Sequence, residues 1–169
     1  KQNSVWAILG SLVIVFFYIL LRFQKWQFSL GAVSAVFHDV LIVLGIFSLT
    51  YKIMPFNMEI NQAFIAALLT VIGYSLNDTV VVFDRIREFF RIHSSWDSET
   101  TVNTALNSTL SRTLNTSLTT LIVLLAIFTF GGESIRGFMF ALIIGVMVGT
   151  YSSVFIATPI MFDSYKNKN

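Results

Sequence analysis

The sequence contains five long apolar stretches that contain few charged residues. A helix needs roughly 20 apolar residues, within a range of about 17–25, to cross a hydrocarbon core about 30 Å thick. Transmembrane strands are a poor alternative, because the stretches lack period-2 alternation and are too long for barrel strands. We therefore predict an all-α integral membrane protein in which residues 1–169 form one five-span helical bundle. The predicted spans cover about 5–21, 29–49, 60–83, 113–130 and 137–161.

The composition supports a membrane protein and argues against an enzyme. Apolar residues make up 55% of the chain and charged residues 12%, whereas a soluble domain carries about 45–50% and 25%. The chain has no cysteine, and its net charge of +2 is too small to indicate nucleic-acid binding. No phosphate-binding loop, nucleophile motif or histidine-rich cluster occurs in the sequence. We expect no catalytic residues, no cofactor, no metal and no nucleic-acid partner.

The distribution of basic residues predicts the orientation of the spans. Cytoplasmic loops of membrane proteins carry an excess of Lys and Arg. The segments that share a side with the C-terminus carry seven basic residues and the opposite side carries three, with Arg112 counted with neither. The seven are Arg22, Lys25, Arg85, Arg87, Arg91, Lys166 and Lys168, and the three are Lys1, Lys52 and Arg136. This bias places the C-terminus and the connection 84–112 in the cytoplasm, and the N-terminus outside. An external N-terminus without an export signal suggests at least one further span upstream.

Asp78 is the strongest functional candidate, because an ionisable residue inside a membrane is costly and is usually functional. It lies seven residues before Arg85, about 10 Å inside the predicted interface and on the same helix face. The functional interpretation is a carboxylate that binds and releases a proton or cation, with Asn77 beside it. The alternative is a structural carboxylate held by an arginine of a neighbouring helix.

Arg112, at the start of the fourth predicted span, is the expected partner of Asp78. A guanidinium group stays protonated and can hold a buried carboxylate ionised. We therefore predict that the two side chains face each other or face one water-filled groove. Asn115 and Thr116 follow at helical spacing and could line that groove, although such residues also commonly join helices.

Three weaker patterns complete the list of candidates. His38 and Asp39 lie midway along the second predicted span and could form a secondary proton relay, but adjacent helical positions point about 100° apart. The alternative is a polar contact between helices. Asp97 or Ser98 could cap an interfacial helix that leads into span four, and the sequence from Gly145 to Gly149 is a G-x-x-x-G pattern that permits close helix packing.

Residues 73–88, with the sequence GYSLNDTVVVFDRIRE, closely resemble the hallmark segment of the SecF family of bacterial protein-export membrane proteins. Residues 38–42 (HDVLI) resemble the His-Asp element of that family. Residues 110–117 (LSRTLNTS) and 130–133 (FGGE) resemble the start of the following span and the external turn after it. The resemblance covers nearly the whole chain in the same order.

The resemblance implies a fold, partners and an energy source. Members of this family have six spans, with a large external domain between the first two, and pair with SecD in a pseudo-symmetric assembly of the resistance-nodulation-division type. The chain is therefore expected to represent the last five spans, half of such a membrane domain, or the end of a SecD–SecF fusion. The assembly works with the SecYEG channel and accessory membrane subunits of the bacterial inner membrane. It uses the proton-motive force to help export unfolded proteins, which the external domain would contact.

The resemblance also implies that Asp78 and Arg112 take part in ion conduction. Whether the coupling ion is H⁺ or Na⁺ stays open, because a carboxylate with nearby amide and hydroxyl oxygens could bind either. Two alternatives also stay open: an ion-driven lipid or drug transporter of the same architecture, and a structural subunit that conducts no ions.

Overall fold

The computed structural model describes residues 2–166, so Lys1 and Lys168, which contribute to the predicted orientation, lie outside the described residues. Within this range helices are the only regular secondary structure, which confirms the prediction of an all-α protein. The elements are α1 (Gln2–Phe23), α2 (Trp26–Thr50), α3 (Gln62–Ile92), α4 (Ser98–Phe130), α5 (Glu133–Ser152), a π-helical turn (Ser153–Ala157) and α6 (Thr158–Lys166).

Four helical stretches are long and apolar enough to cross a membrane. They are Trp26–Thr50, Gln62–Ile92, Ser98–Phe130 and the continuous helix Glu133–Lys166, and α1 adds a shorter apolar stretch, Ile8–Phe23. At 1.5 Å per residue, the 31 residues of α3 and the 33 residues of α4 extend beyond a 30 Å hydrocarbon core. These helices therefore combine membrane-spanning segments with parts that reach beyond the bilayer core.

The connection 84–112 is mostly helical, because α3 continues to Ile92 and α4 begins at Ser98. Asp97 caps α4 by accepting a 2.9 Å hydrogen bond from the backbone N–H of Thr100. Hydrogen bonds from the side chain and from the backbone N–H of Thr100 lower the pKa of the Asp97 carboxyl group, because they stabilise its charged form. The cap was predicted at Asp97 or Ser98, but the helix that it begins is continuous with span four rather than a separate interfacial segment.

Three helices, α2, α3 and α5, form the centre of the bundle and contact one another. Helix α1 packs mainly along α2 at one edge, while α4 packs against α3 and α5 at the other edge. The outer surface of α4 stays exposed within the chain, including Leu114, Leu118, Ile122 and Val123.

The last helix changes its packing partner at the π-helical turn. Pro159 follows this turn, and proline removes a backbone donor and disturbs an α-helix. The hydroxyl group of Thr158 donates a 3.0 Å hydrogen bond to the carbonyl group of Ser153, across the wider turn. The carbonyl oxygen of Ala157 lies so close to Gly31 of α2 that a Cβ atom at Gly31 would collide with it.

The predicted G-x-x-x-G pattern forms the crossing of α5 and α3. Gly145 packs against Val71. One helical turn further along both helices, Gly149 packs against Ser75. A Cβ atom at Gly149 would lie 3.0 Å from Cβ of Ser75, and one at Gly145 would overlap the Val71 side chain. Small residues at these two positions therefore allow the backbones of α3 and α5 to approach closely.

We expect Gly145→Ala to destabilise the bundle by about 1–3 kcal/mol, because the added methyl group overpacks the fully buried, β-branched Val71. Gly45→Ala is the matched control, because nothing lies within 4 Å of a Cβ atom at that helical position. Thermal unfolding in detergent micelles would measure both variants. Adding Val71→Ala should recover part of the loss, and equal stability of the two glycine variants would contradict this packing.

Candidate functional site

Asp78 lies in the contact between α3 and α4. Its residue surface is only 3% exposed. Ser117 of α4 lies beside its carboxyl group, and Arg112 acts on it by charge. Among the described residues, Oδ2 of Asp78 is buried without a hydrogen-bond partner. A buried carboxylate oxygen in this state is costly, so a proton, an ion or a partner molecule would stabilise it.

Arg112 lies on the exposed side of the same helix contact and lines a groove of about 350 Å³ between α3 and α4. Within the described part of the chain, its guanidinium group forms no ion pair with Asp78 at 4.0 Å or less. Asp78 and Arg112 therefore form no direct ion pair in this conformation, although both residues lie at the α3–α4 contact. The groove is lined by Val81, Asp84, Arg85, Glu88, Ser108, Thr109 and Arg112.

The other charged residues of this groove are paired. Arg85 contacts Glu88 at 2.6 Å, one turn along α3. Arg22 of α1 contacts Asp84 at 2.9 Å. These pairs agree with the structural interpretation of a charged helix end, and they leave Arg112 as the guanidinium group of the groove without an ion pair among the described residues.

Asn77, Asn115 and Thr116, which the sequence places in the candidate site, point away from Asp78. All three are exposed on the outer faces of α3 and α4. The hydroxyl group of Thr116 donates a 2.9 Å hydrogen bond to the carbonyl group of Arg112, on its own helix. These residues therefore lie on exposed faces of α3 and α4 and are not among the buried residues of the Asp78 contact.

Asp39 is the second buried carboxylate, and it connects the three central helices. It is 0% exposed and lies near the middle of α2. Its Oδ2 atom accepts hydrogen bonds from Ser75 of α3 at 2.6 Å and from Ser152 of α5 at 2.7 Å. Its Oδ1 atom lies 3.1 Å from Nδ1 of His38, so the two adjacent side chains meet although their Cα–Cβ directions diverge.

A group of hydroxyl side chains connects α3, α4 and α5 near Asp78. The hydroxyl groups of Ser117 and Thr150 lie 2.5 Å apart. The phenol oxygen of Tyr74 lies 3.5 Å from the hydroxyl group of Ser117 and 3.4 Å from that of Thr120, and its one proton can be donated to either. Sequence reasoning missed these residues, and also Ser75 and Ser152, because a Ser or Thr in a transmembrane helix usually bonds its own backbone or a neighbouring helix.

The fold and these buried carboxylates define a multi-pass helical membrane protein with ionisable groups in its interior. The chain belongs to the family described as protein export membrane protein SecD/SecF, C-terminal, which matches residues 1–167.

Similar proteins share most of this chain but are longer. The protein translocase subunit SecF of Rhodothermus marinus is 57% identical over 163 residues, which cover 96% of this chain and 53% of that protein. The SecF subunit of Haemophilus influenzae is 45% identical over 96% of this chain and 48% of its own length. The chain thus spans about half the length of these relatives.

Relatives in which SecD and SecF are joined also match. The SecDF subunit of Brucella abortus is 45% identical over 95% of this chain and 20% of its own length. The crystal structure of SecDF from a Thermus species, described as a translocon-associated membrane protein, superposes with a TM-score of 0.86 at 42% identity. The match covers 98% of this chain and 22% of that structure. A second SecDF crystal structure, in a super-membrane-facing form, gives a TM-score of 0.84 at 41% identity, covering 99% of this chain and 22% of that structure.

We expect Ser152→Ala to lower the free energy of unfolding by about 1–2 kcal/mol, because it removes one of the two hydroxyl donors to the buried Asp39 carboxyl group. Ser48→Ala is the matched control, since Ser48 is exposed on the same bundle. Unfolding in mixed micelles would measure both. If the two variants lose the same stability, the hydrogen bond to Asp39 contributes nothing measurable.

Proposed function

We propose that the chain is the membrane part of a protein translocase subunit that, together with a SecD-type partner, uses the proton-motive force to promote the export of unfolded proteins through SecYEG. The observation that carries this proposal is the Asp78 carboxyl group, buried between α3 and α4 with an unpartnered oxygen, beside an open groove that holds Arg112. The family membership and the SecF and SecDF names of similar proteins support the transport role. The groove between α3 and α4 would give water and ions access toward Asp78.

Energy coupling follows from the two protonation states of Asp78. When the carboxyl group is charged, Arg112 attracts it across the helix contact, and protonation removes that attraction. One elementary charge that crosses a potential of 100 mV releases about 2.3 kcal/mol, enough to shift a two-state equilibrium by several tens-fold. The helix movement would be passed to an external domain of the complete protein. A Na⁺ gradient is the alternative source of energy, since the same oxygens could bind Na⁺.

The excess of basic residues supports the orientation that we propose. The connection between α3 and α4 and the C-terminus would lie in the cytoplasm of a bacterial cell, with Lys52 and Arg136 outside. The groove that contains Arg112 would then open toward the cytoplasm, and the protein would lie in the inner membrane.

Asp78→Asn should abolish export driven by the ion gradient while leaving insertion and partner assembly intact, because the amide cannot titrate. Asp78→Glu should keep part of the activity, and Arg112→Lys should be impaired because a lysine lacks the planar fork of a guanidinium group. Asp163→Asn is the control, since that carboxyl group is exposed on α6 and lies outside the groove. Protein export into membrane vesicles, with the complete subunit and its partners, measures all four.

The double variant Asp78→Leu with Arg112→Met separates a switch from a structural contact. Replacing a structural ion pair with apolar residues of similar size is often neutral or stabilising, so a structural subunit would stay active. The proposal predicts an inserted, assembled and inactive complex. Retained export would favour the structural subunit, and lost lipid or drug efflux with normal export would favour the other transporter class.

The exposed outer face of α3 supports a membrane partner. Ala66, Thr70, Gly73 and Asn77 follow one another at spacings of three or four residues and are all exposed, so they form one stripe of small and polar side chains. An exposed amide is costly in lipid, and small residues permit close helix approach. We therefore place the SecD-type partner, or the SecD half of a fusion, against this stripe and the adjacent polar face of α4.

We expect a cysteine at Asn77 to form cross-links with the partner's membrane helices, because the proposed interface covers this position. A cysteine at Leu41 is the control, since Leu41 is exposed on α2 and lies away from the stripe. Cross-linking in native membranes followed by electrophoresis measures both. Equal cross-linking at the two positions would remove the support for this interface.

A further inference from the structure

Asp39 is a buried carboxyl group that has no role in the proposed function. Its carboxyl group is fully buried about 16–20 Å from either end of α2. A charge in such a place must be paired or neutralised, because its transfer from water costs several kcal/mol. The surroundings of the carboxyl group therefore decide whether it carries a charge or a proton.

The charged residues on the neighbouring helices do not neutralise Asp39. On α1, Arg22 is occupied by Asp84. On α5, Arg136 lies sixteen residues before Ser152, about 24 Å along the helix. On α6, Asp163 and Lys166 are exposed near the end of the helix.

The titratable groups of α3 and α5 at the level of Asp39 do not neutralise it either. Asp78 lies one turn from Ser75 on α3 and is itself acidic. The phenol of Tyr74 bonds Ser117 and Thr120 of α4, and Tyr151 of α5 is exposed. Within the described residues, His38 is the basic group whose nitrogen lies within 4.0 Å of the Asp39 carboxyl group.

The hydrogen bonds of Asp39 distinguish its two oxygen atoms. Oδ2 accepts hydroxyl protons from Ser75 and Ser152, which occupies its two lone pairs. Oδ1 is left for a proton, and it faces Nδ1 of His38 at 3.1 Å. The His38 side chain is 32% exposed, whereas that of Asp39 is 1% exposed. The imidazole ring therefore connects the buried Oδ1 atom to the surface of the chain.

We infer that His38 and Asp39 form a second proton-binding site, separate from Asp78, which holds one exchangeable proton between Oδ1 of Asp39 and Nδ1 of His38. On release, the proton on Oδ1 passes to Nδ1, and the ring gives up its Nε2 proton to a water molecule that reaches the exposed face of α2. The carboxylate is left charged and the imidazole neutral, so one proton leaves and no other bond changes. Asp39 binds the proton, and His38 is the path by which it enters and leaves.

The site connects protonation to the crossing of three helices. A charged Asp39 attracts the hydroxyl donors of α3 and α5 more strongly than a neutral one. Ser75 lies one turn from Asp78, and Ser152 directly precedes the π-helical turn. A contribution of this site to transport rests on the proposed function, but the binding of the proton does not.

Infrared difference spectroscopy on the complete subunit with its partner in lipid vesicles tests the inference. When the pH is varied, wild type and Asp78→Asn should both show a carbonyl band of a protonated carboxyl group that Asp39→Asn lacks. Asn fits the same space, and its side-chain oxygen can still accept both serine hydroxyl protons, so this variant should fold. Asp84→Asn, a change at a half-exposed carboxyl group, should keep the band. The same band in wild type and Asp39→Asn would overturn the inference.

Deuterium exchange tests the role of His38. His38→Leu should keep the Asp39 band but slow its shift in D₂O at least tenfold, because the path through the ring is closed. An unchanged exchange rate in that variant would overturn the assigned path.

Export measurements keep the two proposals apart. Normal export by Asp78→Asn would contradict the proposed function, whatever the Asp39 band shows. Persistence of that band in Asp39→Asn would contradict the second site, whatever export shows.

Discussion

The structure depends on one constraint: polar groups inside a membrane must find their partners within the protein. Water is absent from the hydrocarbon core, and an unsatisfied backbone or side-chain group costs several kcal/mol there. Helices satisfy the hydrogen-bonding groups of the backbone, so the remaining free-energy cost comes from a few polar side chains. Asp39 shows how the chain meets that cost, because two serine hydroxyl groups from other helices donate to one of its oxygens. That contact fixes the relative positions of α2, α3 and α5, the centre of the bundle.

The two buried carboxyl groups differ in how fully they are satisfied. Asp39 has partners for both oxygens, whereas Oδ2 of Asp78 has none among the described residues. A satisfied carboxyl group holds helices together, and an unsatisfied one is free to accept a new partner. The position of Asp78 between α3 and the less buried α4 is consistent with that difference. The unpartnered carboxyl oxygen thus lies at the edge of the bundle, and the partnered carboxyl group lies at its centre.

The fold could be predicted from the sequence because membrane helices follow from the length and composition of apolar stretches. The same rules identified Asp78, the Asp97 cap and the packing glycines Gly145 and Gly149. They placed Asn77 in the site because it neighbours Asp78, but adjacent helical residues point in different directions and Asn77 is exposed. Ser75 and Ser152 gave no distinguishing signal, because their role appears only when α2 brings Asp39 between them. Periodicity alone also does not show whether Asp78 and Arg112 form a direct ion pair, because that depends on the rotation and depth of α3 and α4.

The π-helical turn changes the relation between sequence spacing and packing in the last helix. Before the turn, Gly145, Gly149 and Ser152 occupy the buried face toward α3 and Asp39. After it, Ala157 and Met161 are buried and lie against Gly31 of α2. A regular α-helix that continues from residues 145, 149 and 152 would bury residues 156 and 160 instead, so the wider turn has shifted the buried face by one residue. One continuous helix thereby packs against different neighbours before and after the turn, because the additional residue in the π-helical turn rotates the buried face into phase with the second contact.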